Sequence, residues 1–422
     1  MGTSLLHGKL SIQKRTFPEW MVFIILMFPF AFGCMTEILH IPGLVRYLLD
    51  AIIAFFFLFF LLKRDWAVKR NVSLLFALVV TFFVYTLITS VYNFQSPFYY
   101  VWGLRNNFKF YLAFFLFVTY VNEDYANTLL RLLDGLFWVN AAVSFVQFFL
   151  LGVWQDNLGG LFGSRGATNG YTLIFFSIIV ARSLLKTFNG EEKPLYCACK
   201  CVTALVVAAM AELKFFYFVF ILILVLASLV TKFSRRKLVI VIVSVIAVAV
   251  GSVLLSSIFS RADGFFSFEK LIHYATSEHY STGNDLNRFT AIPTLMNNYV
   301  TEPLQQIFGL GLGNCDVSEV SVFNTPFYQQ YSYLHYTWFS SAMVFLETGF
   351  VGLALYVSFF LICFVSAYRS LKRGRGNRLF CQIAVIMSAL CIVLMFYNSS
   401  LRAEFSHMMY FCLALPFLSP AE

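Results

Sequence analysis

Charge is what this sequence has least of. Asp, Glu, Lys and Arg make up 12% of its 422 residues against 60% hydrophobic, and the mean hydropathy is +0.77. No water-soluble globular domain carries that balance, which leaves a polytopic membrane protein. Long polar tracts are also missing, so there is no room for a separate soluble catalytic domain, and any chemistry sits in or beside the membrane. A cleavable leader is not evident either: Lys9, Lys14 and Arg15 run into an apolar segment without a small-residue cleavage site, so the first span is expected to stay. Among nine cysteines no C-x-x-C spacing occurs. Cys197, Cys199 and Cys201 alternate in "CACKC", which a helix spreads round its circumference, and Cys315 is alone in the largest loop. No disulfide or metal centre is expected from them.

What is abundant is apolar length, rich in phenylalanine, of which there are 52. Apolar stretches run at about 20–37, 44–63, 73–92, 107–121, 130–151, 168–186, 196–211, 214–231, 237–259, 338–367, 378–397 and 403–419, each near the ~20 residues a bilayer requires. The fold class expected is an all-α polytopic membrane protein of about twelve transmembrane helices. A bundle of about nine spans occupies 1–259, an outer and partly helical loop occupies 260–337, and about three further spans occupy 338–422. With both termini cytoplasmic, 21 of the 30 Lys and Arg fall inside, including those of "KRDWAVKR" (63–70), 182–200, "KFSRRK" (232–237) and "RSLKRGRGNR" (369–378). That asymmetry accounts for most of the net charge of +9, so no nucleic-acid partner is implied.

Nine basic residues fall on the outer side: Arg46, Arg105, Lys109, Arg165, Lys214, Arg261, Lys270, Arg288 and Arg402. Arg46 has Asp50 four residues on, and Arg402 has Glu404 nearby. Arg105 and Lys109, in "WGLRNNFKFYLAFF", repel one another across a helical turn. They call for an anionic guest, or else snorkel to an aromatic interfacial belt. Arg165 lies in "GGLFGSRGATNG", a glycine-rich turn opening onto a helix, where backbone N–H groups make an anion nest. The Lys-Ser/Thr of a Walker loop is absent from it. Lys214, in "AELKFFYFVF", is held at the outer edge of the bundle, and Arg288 precedes an amphipathic loop helix. Together Arg105, Arg165, Lys214 and Arg288 place cations at one membrane depth, which is what a membrane-anchored pyrophosphate requires.

The order of these features resembles the bacterial superfamily of O-antigen ligases and Wzy-type O-antigen polymerases. The resemblance is carried by an arginine (Arg288) followed by a helix and "GLGLGN" (309–314), then a histidine (His335) ahead of "ETGFVG" (347–352). "GSRGATNG" before a span and the basic Lys214 opening another add to it. It implies a glycosyltransferase that takes a glycan from a polyprenyl (undecaprenyl) diphosphate donor. The glycan goes to a glycan or lipid acceptor on the outer face of the bacterial cytoplasmic membrane, with other polysaccharide-assembly proteins as possible partners. By the same resemblance Arg105, Arg165, Lys214 and Arg288 bind the diphosphate, and Arg288 and His335 carry the chemistry. Tyr336 stands where the family commonly has Asn or a small polar residue, and the gap from His335 to Gly349 is longer than usual. Polymerase, ligase and a lipid-linked glycan flippase or transporter all remain open. No Asp/His cluster with metal spacing lies on the outer side, so metal-independent transfer without a cofactor is expected.

Imidazoles change protonation near neutrality, which suits His335 to removing a sugar hydroxyl's proton; His273 and His279, in "LIHYATSEHY", are its rivals. Glu347 is a different matter. On one continuous helix it would lie ~18 Å from His335, too far for a catalytic pair. Its expected role, with Lys109 and Arg402, is structural or secondary, holding a basic residue or a neighbouring helix.

Overall fold

The computed structural model describes residues 16–62, 72–164, 168–232, 285–318 and 324–419, with isolated positions between 237 and 277. The span expected at 237–259, the loop around His273 and His279, and Arg165 lie wholly or largely outside the described residues. Among those described, the chain is all-α. Its helices are α1 (Phe17–Glu37), α2 (Arg46–Leu62), α3 (Ser73–Tyr92), α4 (Pro97–Tyr120), α5 (Glu123–Phe149), α6 (Asn169–Asn189), α7 (Pro194–Met210) and α8 (Lys214–Val230). Three short loop helices follow, α9 (Ala291–Asn298), α10 (Pro303–Phe308) and α11 (Pro326–Tyr331), and then α12 (Ser340–Arg373), α13 (Arg378–Tyr397) and α14 (Ser406–Ala414). Among the described residues, seven helices are long and apolar enough to cross a membrane, and three shorter apolar ones accompany them.

Lipid and protein interior are equally apolar, so the pattern of hydrophobic residues does not separate a helix facing its neighbours from one facing lipid. Packing does. The apolar windows of α6 and α13 are 83% and 78% buried against 17% for the segment 43–62, so α6 and α13 form the centre and α2 the margin. α12 packs most extensively on α13, and α14 wedges against α4 and α13. Phenylalanines fill the seams: the Phe162 ring lies 5.0 Å from Phe30 and 4.3 Å from Phe405, tying α1 to the segment before α14. Hydroxyls inside the spans bond back along their own helices, as Ser177 does to the Leu173 carbonyl (2.6 Å) and Ser388 to that of Ala384 (2.7 Å).

Two of the basic residues counted to the inner side lie on helices and are buried in the bundle. Arg182 sits on α6 and Lys200 on α7; Arg182 pairs with Asp134 of α5, while Lys200 Nζ lies 3.2 Å from both Asp134 and Glu192. Their charges are balanced within the bundle, because a cation buried there needs an anion beside it.

α12 does not begin at His335. It starts at Ser340, after two single 3-10 turns that place His335 between them at φ 51°, and it is broken at Gly349, whose φ is 62°. The break lets the segment 309–311 dock on the helix as backbone. The Leu310 N–H donates to the Leu346 carbonyl (2.8 Å) and the Gly311 N–H to that of Glu347 (3.0 Å). Gly349 therefore serves a close contact with the backbone of Ile307 in α10. Further along, Gly313 packs backbone to backbone on Gly103 and Tyr99 of α4. "GLGLGN" is thus a strap inserted between α4 and α12.

Candidate functional site

The starts of α6, α8 and α12 and the end of α13 share one end of the bundle. The Ser340 N–H bonds the Asn398 carbonyl (3.1 Å), and Gly170 at the start of α6 packs on Ser400. Tyr397 closes α13, and its ring lies parallel to that of Phe215, next to Lys214, at 3.5 Å. The Arg288 guanidinium lies 4.3 Å from the centre of the Tyr397 ring. Arg288 therefore lies over the ring that stacks on Phe215, at the end of the bundle where Lys214, 74 positions away in sequence, opens α8. The Leu286 N–H donates to the Leu334 carbonyl (3.0 Å), which brings the Arg288 segment alongside His335. His335 is exposed and its imidazole stacks on Trp338 at 4.1 Å, nearly parallel. Its left-handed backbone is one that few residues other than Gly, Asn, Asp and His adopt readily.

Arg105 and Lys109 lie elsewhere, deeper along α4, and their neighbour is an anion of the chain itself. Asp50 of α2 accepts from Arg105 through one oxygen and from Lys109 through the other at 3.0 Å. The repulsion that pointed to an anionic guest is met internally. Asp50 is thus engaged across the helix interface. Lys109 Nζ also lies 3.8 Å from Glu404, and the Arg105 guanidinium sits in the corner between the Tyr47 and Trp102 rings, 4.4 and 4.5 Å from their centres.

Arg402 and Glu404 also part company. They are two positions apart, separated by the extended Ala403, and point to different partners. Arg402 reaches Asp316 of the strap (3.0 Å) and Glu347 of α12 (3.3 Å), whereas Glu404 accepts from the Tyr171 hydroxyl (3.4 Å). Asn106 donates to Asp316 (2.7 Å) and Asn107 to Glu347 (3.3 Å), which closes a circuit from α4 through the strap and Arg402 to α12 and back. Burial opposes the charge of Arg402, but the two carboxylates outweigh it and hold its pKa above the ordinary guanidinium value.

The glycine-rich turn before α6 is partly occupied as well: the Ser164 N–H donates to the Glu37 carboxylate. Of the cations assigned to a diphosphate, the structure puts Arg288 and Lys214 at one end of the bundle, keeps Arg105 with Asp50, and does not describe Arg165. Sequence reasoning passed over Tyr397 and Asp316. Of these Asp316 carried a signal, as the acid two residues after "GLGLGN". The chain matches no protein-family model and no curated protein.

Proposed function

We propose that the protein is a multi-pass glycosyltransferase of about twelve spans in the bacterial cytoplasmic membrane, with cytoplasmic termini. It polymerises polyprenyl-diphosphate-linked glycan units at the outer face. The observation that carries this reading is Arg288 held over the Tyr397 ring beside the segment bearing His335, at the end of the bundle where Lys214 opens α8. In the reaction, His335 takes the proton of an acceptor hydroxyl, whose oxygen bonds to the anomeric carbon of the donor sugar. The bond from that carbon to the lipid diphosphate breaks, and Arg288 and Lys214 receive the charge developing on the departing oxygen. Arg165, when it joins them, adds a third cation.

The test is a cell-free assay with lipid-diphosphate-linked repeat units. Chain growth is the expected result, lost in Arg288→Ala and His335→Ala while membrane insertion is intact; full activity in either variant removes that residue from the mechanism. Transfer to a separate lipid or protein acceptor makes the enzyme a ligase. A second reading, transport of a lipid-linked glycan, is favoured by the buried ionisable circuit at a broken helix, and it predicts movement of substrate with no covalent product.

A further inference from the structure

The buried circuit is not electrically even. Asp50 and Glu404 lie against Arg105 and Lys109, two anions with two cations. Among the described residues Arg402 alone serves both Asp316 and Glu347, so that triad holds one positive group and two acidic ones. It is also dry: the side chains of Arg402, Asp316 and Glu347 are 9%, 6% and 0% exposed. Both donors that reach Glu347, from Arg402 and Asn107, go to Oε2, and Oε1 is buried without a hydrogen-bond partner. The other polar groups around it are the Cys315 thiol and Asp316 on the strap, and Tyr336, whose hydroxyl donates to the Cys315 carbonyl (2.8 Å). Tyr85 of α3 donates to the Thr348 carbonyl (2.7 Å), and Tyr356 follows on α12.

An ionised carboxylate oxygen with no partner in a hydrocarbon-like interior is too costly to persist, so the surplus charge has to be met. We propose that this triad is a binding site for one small monovalent cation, a proton or a sodium ion, held on Glu347 Oε1. The strap hangs from the same groups, through Asp316 and through its backbone bonds to the carbonyls of Leu346 and Glu347. Occupancy therefore sets how firmly the strap is held: with the cation gone, Asp316 and Glu347 repel one another across Arg402 and the strap loosens. This inference does not depend on the glycosyl-transfer reading.

The experiment uses the full chain purified in detergent or nanodiscs. Thermal unfolding is followed from about pH 4 to about pH 10 at fixed sodium, and at fixed pH with sodium replaced by choline. The wild type is expected to lose several degrees of Tm as its cation is withdrawn. Dependence on pH alone identifies a proton, and dependence on sodium at constant pH identifies the metal ion. Glu347→Gln removes the surplus charge while keeping the shape, and its Tm should ignore both variables. Asp316→Asn removes the same surplus from the other side and should behave likewise, which keeps the test decisive if the first variant does not fold. An infrared band of a protonated carboxyl, lost in Glu347→Gln, reports the proton directly. A wild type indifferent to both cations, or variants that retain its full dependence, overturns the proposal.

Discussion

Arg402 is the residue on which most of the buried charge turns, because removing it strands two carboxylates at once. Breaking a buried pair costs more than the pair was worth, since the abandoned charge stays in the interior. Arg402→Ala is therefore expected to lower stability by ~3–5 kcal/mol, measured as loss of folded protein on heating or in denaturant. Adding Asp316→Asn and Glu347→Gln to Arg402→Ala should return much of that loss by taking away the stranded charges. Tyr397 holds Arg288 by a ring face. Tyr397→Phe should leave product formation near wild type, whereas Tyr397→Ala should lower it roughly tenfold by freeing the guanidinium to wander. The Cys315 thiol is buried, and burial, with Glu347 and Asp316 nearby, pushes its pKa well above the usual thiol value. The thiolate is the reactive form, so Cys315 should stay unlabelled by maleimide even when the pH is raised to about 9, and should react only on unfolding. Cys34, exposed near the end of α1, should label in the native protein.

At the scale of elements, the strap and the broken helix form one device. Gly349 interrupts α12 and frees carbonyls that the 309–311 segment then takes up, so each element supplies what the other lacks. Gly313 is held at φ 86°, and a methyl group there would overlap the backbone of Tyr99. Gly313→Ala should thus cost ~2 kcal/mol or more from strain and overlap together, and should release the strap. Limited proteolysis of the outer loop, faster than in the wild type, checks it. The helices themselves were readable from apolar length, and the start of α8 at Lys214 was placed to the residue. The docking of the strap was not readable, because glycines are equally at home in a helix contact, a turn and a broken helix. Long-range partners were hidden for a related reason: sequence offers neighbours at i+4, such as Asp50 for Arg46, while the interior offers cations from another helix.

For the molecule as a whole, sequence and structure supply different halves of the orientation. The Ser164 N–H bonded to Glu37 puts the end of α1 with the turn before α6, and Gly170 on Ser400 links that turn to the end holding Tyr397 and Lys214. At the opposite end, Asn189 of α6 bonds Gln382 of α13 (2.8 Å), and Gln382 bonds the Val230 carbonyl of α8 (2.9 Å). Cys34 and Arg375 therefore belong to opposite ends. Which end faces the cytoplasm is a matter of charge, and in the proposed orientation the basic run at 369–378 puts Arg375 on the inside. Burial of Arg182 and Lys200 removes two cations from that count without changing its direction, since the exposed basic turn between α12 and α13 remains. In intact cells, a membrane-impermeant maleimide should label Cys34. A cysteine introduced by Arg375→Cys should be labelled only after permeabilisation. Labelling of Arg375→Cys in sealed cells would invert the orientation, place Arg288, Lys214 and His335 on the cytoplasmic face, and remove the proposed outer-face reaction.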